Sequence, residues 1–338
     1  MRRALVTGIG GQDGFLLGRE LLAHGRHVVG TVRPGTGFRS DITTYLGGVE
    51  GLDVVELDLR DGVGVAHLLD KYNFDEIYNL ASFSSVGLSW QNAELVSEIN
   101  GMAVLRLLEA LRLYHDRNGR APRFYQASTS EIFGLAEEQP QTEHTPHHPR
   151  SPYAVAKSFA HHLTVNYRES YGLFACSGIL YNHESPVRGA GFVTRKITRA
   201  VAEIALGRRE ELTLGNLDIR RDWGHAAEYV GSMRLMLEAD DPADYIVATG
   251  VAHSLEEFIN VAFDVAGLGD PGQYVRQNPD LMRPADVMEL RGDATKAREQ
   301  LGWVPQRGFR EIIEEMVRVD MRRIETGVED HRDYLPAL

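Results

Sequence analysis

The chain has 338 residues, 43% of them hydrophobic and 25% charged, and carries a net charge of −12 at pH 7. That is enough chain for one large domain or two lobes sharing a core, and the acidity, with no concentrated basic stripe, argues against nucleic acid as a partner. No segment stays apolar for the ~20 residues of a membrane span, and the single cysteine, Cys176, lies in an apolar run, so a cytoplasmic protein with a buried thiol and no intrachain disulfide is expected.

Arg3–Thr7 reads as a strand that runs into Gly8-Ile9-Gly10-Gly11-Gln12-Asp13-Gly14 and then into an apolar helix pattern with Phe15, Leu16, Leu17, Leu21 and Leu22. Strand, glycine turn and helix form the setting of a dinucleotide fingerprint, in which Gly8, Gly11 and Gly14 let the backbone approach a pyrophosphate at the helix N-terminus. The second strand, His27–Arg33, ends on Thr31 and Arg33 and carries no carboxylate there. A free ribose 2′-hydroxyl usually meets an acid at that point, so the pattern favours a 2′-phosphate, hence NADP over NAD.

A third strand is expected over Val54–Leu59, with Asp58 placed to meet an adenine amine, then a helix over Val63–Lys71 and a fourth strand over Glu76–Leu80. A long helix from Ala93 to Leu113 leads to a fifth strand that ends at Ser128. Thr129 and Glu131 then sit at the carboxyl end of that strand. Pro152 suits the first turn of a helix continuing through Tyr153, Lys157 and His161. Tyr153 and Lys157 are four apart and share a face, and a lysine charge near a phenol lowers its pKa toward neutrality. On its own, Y-x-x-x-K is also what a surface helix shows by chance, and Glu131 could equally cap a helix; the surrounding strings decide otherwise. His144, His147 and His148 lie in a proline-rich loop with no other ligand type nearby, so no metal is expected, and His161 and His162 read as helix-face residues.

A sixth strand is expected over Leu173–Leu180, a loop over Asn182–Pro186, a basic helix over Val193–Leu206 and another helix over Asp222–Leu237. Tyr245–Thr249 reads as a strand rejoining the main sheet, and two helices close the chain near Asp293–Leu301 and Phe309–Arg323. Alternating strand and helix imply an α/β fold, a doubly wound parallel sheet of Rossmann type with a smaller mixed C-terminal lobe. Residues 1–180 form the dinucleotide-binding domain, with 223–250 returning to it, and 181–338 form mainly the substrate lobe.

Several strings go beyond generic cofactor motifs: Phe124–Gly134, Ser151–Lys157, Ile179–Pro186, Phe192–Ile197, and Gly215-Asn216-Leu217-Asp218 followed by Arg221-Asp222-Trp223-Gly224-His225. On these the chain resembles the GDP-mannose 4,6-dehydratase family of extended short-chain dehydrogenase/reductases, over nearly its whole length. The resemblance implies catalytic roles for Thr129, Glu131, Tyr153 and Lys157. It implies cofactor contacts from Gly8 to Asp13, at Asp58 and Leu59, from Leu80 through Ala81 and Ser82 to Ser84, at His183 and Arg188, and from Tyr153 and Lys157. It places the nucleotide sugar, GDP-mannose, against Ser84, Ser85, Asn182, Val193, Lys196, Arg221, Arg283 and Asp286, with Arg221 toward the diphosphate. It also implies a homodimer or homotetramer, with subunits pairing through the helix from Ala93 to Leu113 and the one starting at Tyr153.

The chain departs from the family pattern at Phe83 and Ser85, where the family has glutamine and histidine. It departs again at Leu95 for a tyrosine, at Val187 in an arginine pair, in Pro34–Arg39 of the intersubunit loop, and at Ala285-Asp286. The chemistry implied is oxidation at C4, loss of water across C5 and C6, and return of the hydride to C6, with NADP retained. An epimerase or 4-ketosugar reductase on the same fold would also use Tyr153 and Lys157, but an epimerase has no need of Glu131. A cofactor-sensing protein without catalysis would need none of the four.

Overall fold

The computed structural model describes residues 1–35, 44–282 and 284–336. Seven strands among them form one parallel sheet: β1 (Arg3–Thr7), β2 (His27–Val32), β3 (Leu52–Glu56), β4 (Glu76–Asn79), β5 (Arg123–Ala127), β6 (Ala175–Leu180) and β10 (Tyr245–Val247). Their order is β10-β6-β5-β4-β1-β2-β3. The direction of winding therefore reverses between β1 and β4, and a crevice opens there outside the carboxyl ends of the strands.

Parallel strands need crossover helices, which bury both faces of the sheet. On one face lie α1 (Gln12–Ala23) and α8 (Ala226–Glu238), packed through Leu16, Leu17, Val230 and Met233. On the other lie α2 (Gly62–Tyr72), α5 (Ala103–Asn118) and α6 (Pro152–Tyr171), packed through Leu69, Leu107 and Tyr167. Between β4 and α5 come two short helices, α3 (Val86–Ser89) and α4 (Ala93–Ser97). The helix expected over Ala93–Leu113 is α4 and α5 joined through a π turn at Glu98–Met102, and it runs on to Asn118, where Gly119 ends it at φ 66. At the π turn Gly101 packs against α6: a Cβ there would meet the Phe159 ring at 3.0 Å.

The C-terminal lobe is built on β9 (Arg220–His225), which pairs with β7 (Asn182–Glu184), β11 (Ala252–Ser254) and β13 (Glu289–Leu290). Beside it, β8 (Leu212–Leu214) pairs with β12 (Val275–Gln277). The helices α7 (Val193–Ala205), α9 (Leu255–Val265) and α11 (Phe309–Thr326) enclose a core that includes Val201, Trp223, Phe258 and Val317. The short α10 (Thr295–Leu301) packs back on the main sheet through Ala297.

Two expectations for this lobe are corrected. Asn182–Pro186 is not simply a loop, because Asn182–Glu184 pairs in parallel with Trp223–His225. Asp222–His225 is strand and not helix. The Asp222 carboxylate is pinned by the backbone N–H groups of Thr249 and Gly250, both at 2.8 Å, and Trp223 turns into the lobe core against Phe258 and Phe309. Helix α8 starts only at Ala226, where the His225 ring accepts from the Ala227 N–H. The third strand also ends earlier than expected, at Glu56, which leaves Asp58 in the following turn.

A buried carboxylate joins α7 to α11. Asp320 accepts from Arg195 Nε at 2.8 Å, Arg323 Nη1 at 3.0 Å and Thr198 Oγ1 at 2.7 Å. Arg195 Nη1 in turn donates to the carbonyls of Pro186 and Arg188, which fixes the chain after β7. Among the described residues no helix is long and apolar enough to cross a membrane.

Candidate functional site

A cleft of about 700 Å³ opens over the carboxyl ends of the central strands. The glycine turn forms its floor, and close packing explains two of its glycines. A Cβ on Gly14 would fall 2.4 Å from the Gly8 carbonyl oxygen, and one on Gly8, at φ +72, would fall 2.9 Å from Ala81 Cα. Gly8, Gly11, Gln12, Asp13, Gly14, Arg33, Asp58, Leu59, Leu80, Ala81, Ser82, Ser84 and Arg188 all line this cleft. Its size and its helix N-terminus suit a dinucleotide.

Polar residues that the sequence reading did not single out hold the cleft in shape. Thr7 Oγ1 donates to Asn79 at 2.7 Å and accepts from the N–H groups of Leu80 and Ala81. Asn79 donates on to Gln126 at 2.8 Å. Asn100, delivered by the π turn, accepts from the Phe83 N–H at 2.8 Å and from Ser82 Oγ at 3.1 Å. Arg60 lines the cleft and grips Asp58, with Nη2 2.6 Å from Oδ2. Apart from the run of short polar residues at strand ends, nothing in the sequence marks these partners.

The second group of candidate residues gathers where β5 meets α6. Ser151 caps that helix by accepting from the Ala154 N–H at 3.1 Å, Pro152 occupies its first turn, and Gly172 ends it at φ 65. Tyr153 and Lys157 are thereby turned inward, 8% and 4% exposed. The Tyr153 phenol lies near enough to Thr129 and Glu131 for both to act on its ionisation, and Thr129 Oγ1 accepts from the Glu131 backbone N–H at 3.3 Å, so three of the four residues are neighbours. Lys157 Nζ donates to the Ala127 carbonyl at 2.7 Å and stands 6.0 Å from the centre of the Tyr153 ring. Burial pushes the Tyr153 phenol up to about 12, outweighing the opposing influence of Thr129. Burial likewise pushes the Lys157 ammonium down to about 8, against the pull of Asp13. The expected lowering of the phenol by Lys157 is therefore not met in this state: burial dominates, and the ammonium is directed to a backbone carbonyl.

His183 stands beside the cleft, its Nε2 2.9 Å from Asp13 Oδ2 and its Nδ1 2.7 Å from the Tyr181 carbonyl. Burial works against both charges, yet the imidazolium and its hydrogen bond hold the Asp13 carboxyl at about 2, and Asp13 raises His183. Arg188 pairs with Glu184 at 3.2 Å and lies over the Phe192 ring.

The residues assigned to the sugar nucleotide are more scattered. Ser84 is in the cleft, while Ser85 caps α3 by accepting from the Leu88 N–H. Asn182 is half-buried on β7. Val193 packs against the core of the C-terminal lobe, and Lys196 Nζ donates to the Thr213 carbonyl at 2.7 Å. Arg221 is buried and donates to the carbonyls of Arg220 and Val287, next to Asp286. Arg283 and residues 36–39 of the Pro34–Arg39 segment lie outside the described residues. Phe83 packs against Val96, Tyr153 and Ala156, and Leu95 and Val187 line the cleft. Cys176 is buried, and burial pushes its thiol up to about 12.

The family model described as GDP-mannose 4,6 dehydratase matches residues 5–316. The chain belongs to the GDP-mannose 4,6-dehydratase family. A family member from Arabidopsis thaliana, GDP-mannose 4,6 dehydratase 2, is 46% identical over 94% of this chain and 86% of its own length. The Homo sapiens GDP-mannose 4,6 dehydratase is 42% identical over 96% of this chain and 92% of its own. Among solved structures, the Thermus thermophilus UDP-glucose 4-epimerase in complex with NAD superposes with a TM-score of 0.80 at 27% identity, covering 95% of this chain and 99% of that one. The family resemblance and the Rossmann-type sheet expected from the sequence are thus borne out.

The buried ammonium yields a stability prediction with a definite sign. Below pH 8 the folded protein carries a charge that burial disfavours, a cost of about 3 kcal/mol for a shift from 10.5 to about 8. Between pH 8 and 10.5 the unfolded chain holds one more proton than the folded one, so stability rises with pH there. Lys157→Met should therefore be at least as stable as the parent at pH 7, with the difference shrinking between about pH 8 and 10. Denaturant midpoints at several pH values check this; a large loss of stability at pH 7 would contradict it.

Proposed function

We propose that the protein is a nucleotide-sugar 4,6-dehydratase that converts GDP-mannose to GDP-4-keto-6-deoxymannose with a retained nicotinamide cofactor, NADP. The observation that carries this reading is that Thr129 and Glu131 follow β5 beside the buried Tyr153 phenol and act on its ionisation, with Lys157 one turn along α6, in a chain of this family. The relatives named above as GDP-mannose 4,6 dehydratases support the substrate. Arg33, at the end of β2 and in the cleft, supports NADP over NAD.

In the proposed mechanism Tyr153 accepts the proton of the C4 hydroxyl, and Thr129 holds the oxygen that becomes the ketone. A bound nicotinamide supplies the acceptor for the C4 hydride and later the donor to C6. Lys157, with a pKa of about 8, is mostly charged at pH 7; turning its ammonium from Ala127 toward the phenol lowers the phenol's pKa. The C4 ketone acidifies C5, where Glu131 removes the proton and delivers one to the departing C6 hydroxyl, which leaves as water. A proton then returns to C5, and no net oxidation occurs.

Incubation with GDP-mannose should give a product lighter by one water, and Glu131→Gln should slow its formation by roughly a hundredfold or more while still allowing oxidation at C4, seen as enzyme-bound reduced cofactor. A Glu131→Gln protein that dehydrates at the parent rate removes Glu131 as the base. A parent protein that changes the sugar without losing water favours an epimerase or reductase instead.

A homo-oligomer belongs to the same proposal. Leu113 on α5 and Val155, Phe159 and Tyr171 on α6 are large apolar side chains left exposed, on the two helices through which the resemblance implies subunit pairing. Light scattering at micromolar concentration should give at least a dimer mass, and a monomer mass would contradict the pairing.

A further inference from the structure

We propose that Arg60 selects for the 2′-phosphate of the cofactor, both as a second guanidinium beside Arg33 and as the partner that occupies the Asp58 carboxylate. The proposal rests on the reading of the cleft as an NADP site. Strands β2 and β3 are neighbours, with Val32 opposite Glu56 at their carboxyl ends. Arg33, just past β2, and Asp58 and Arg60, just past β3, therefore stand at one edge of the cleft, which all three line. In sheets of this kind the 2′ position of the adenosine ribose lies at the end of the second strand, where an acid accepts the hydroxyl of NAD and an arginine accommodates the phosphate of NADP.

Asp58 brings an acid close to that position, and Arg60 occupies it. The Asp58 carboxylate accepts from the Arg60 backbone N–H at 2.9 Å, from Nε at 3.0 and 3.1 Å, and from Nη2 at 2.6 Å. Arg60 is the largest influence holding the Asp58 carboxyl below its usual range, and Arg33 acts in the same direction. The Asp58 and Arg60 side chains are 29% and 46% exposed, and a pair that open to water adds little to stability. Its chemical consequence is larger. With Arg60 the three residues sum to one positive charge facing the cleft; without it Arg33 and Asp58 cancel. The pairing engages Nε and Nη2, so Nη1 is directed to no partner among the described residues and suits a phosphate oxygen.

The test is equilibrium binding of NADPH and NADH, read by fluorescence titration, for the parent, Arg60→Ala, Arg33→Ala and Asp58→Asn/Arg60→Ala proteins, with circular dichroism confirming the fold. The parent should prefer NADPH, and Arg33→Ala should narrow that preference. Arg60→Ala should weaken NADPH by about ten- to a hundredfold and leave NADH unchanged or tighter, and adding Asp58→Asn should recover part of the NADPH loss. A parent with equal affinity for both cofactors overturns the NADP reading itself. A parent that prefers NADPH with an Arg60→Ala variant that keeps the preference, or loses both cofactors equally, overturns the role of Arg60 alone. Failure of Asp58→Asn to recover any NADPH affinity overturns the part assigned to Asp58.

Discussion

The burial of one ammonium group governs the geometry of the site. Lys157 lies under protein at the point where β5 ends and α6 begins, bound to the carbonyl of Ala127. That bond ties the helix to the strand, and Tyr153, one turn earlier, is thereby set against Thr129. The arrangement costs stability, because burial disfavours the charge, and the cost is offset by the framing of α6: the Ser151 cap, the proline in its first turn and the close contact at Gly101. A site that keeps a cation dry and a phenol protonated until substrate and cofactor arrive is held in readiness by its surroundings.

The cleft itself is assembled from segments far apart in sequence. Gln12 donates to the His183 carbonyl, Ser185 donates to Gln12, and Asp13 pairs with His183, so the start of α1 is joined to the first strand of the C-terminal lobe. The Asp320 cluster holds Arg195, which in turn holds the carbonyls of Pro186 and Arg188. Near the C-terminus, Asp330 accepts from Tyr45 at 2.9 Å and lines the cleft. The shape of the cleft therefore depends on packing in the C-terminal lobe as well as on the glycine turn.

Much of this was legible in the sequence. The strands of the central sheet are short apolar runs bounded by turn residues, and the glycine turn follows the first of them. The capped helix with Tyr153 and Lys157 on one face follows from local spacing. What failed was non-local. Asn182–Glu184 and Arg220–Asp222 are polar, and become strands only through the pairing of β7 and β9 with their neighbours and the burial of Trp223. The pKa of Tyr153 depends on burial, which an i, i+4 spacing does not report. Asn100 reaches Ser82 and Phe83 through a π turn that no periodicity marks, and the grip of Arg60 on Asp58 requires the turn after β3 to close.

In the proposed mechanism one pocket removes a hydride from C4 and returns it to C6 of the same sugar. GDP-mannose deuterated at C4, mixed with unlabelled substrate and a trace of free cofactor, tests this most directly. Deuterium is expected at C6 of those product molecules that began with it at C4, and none in free cofactor. Label washed into free cofactor, or passed to unlabelled sugar, would contradict it.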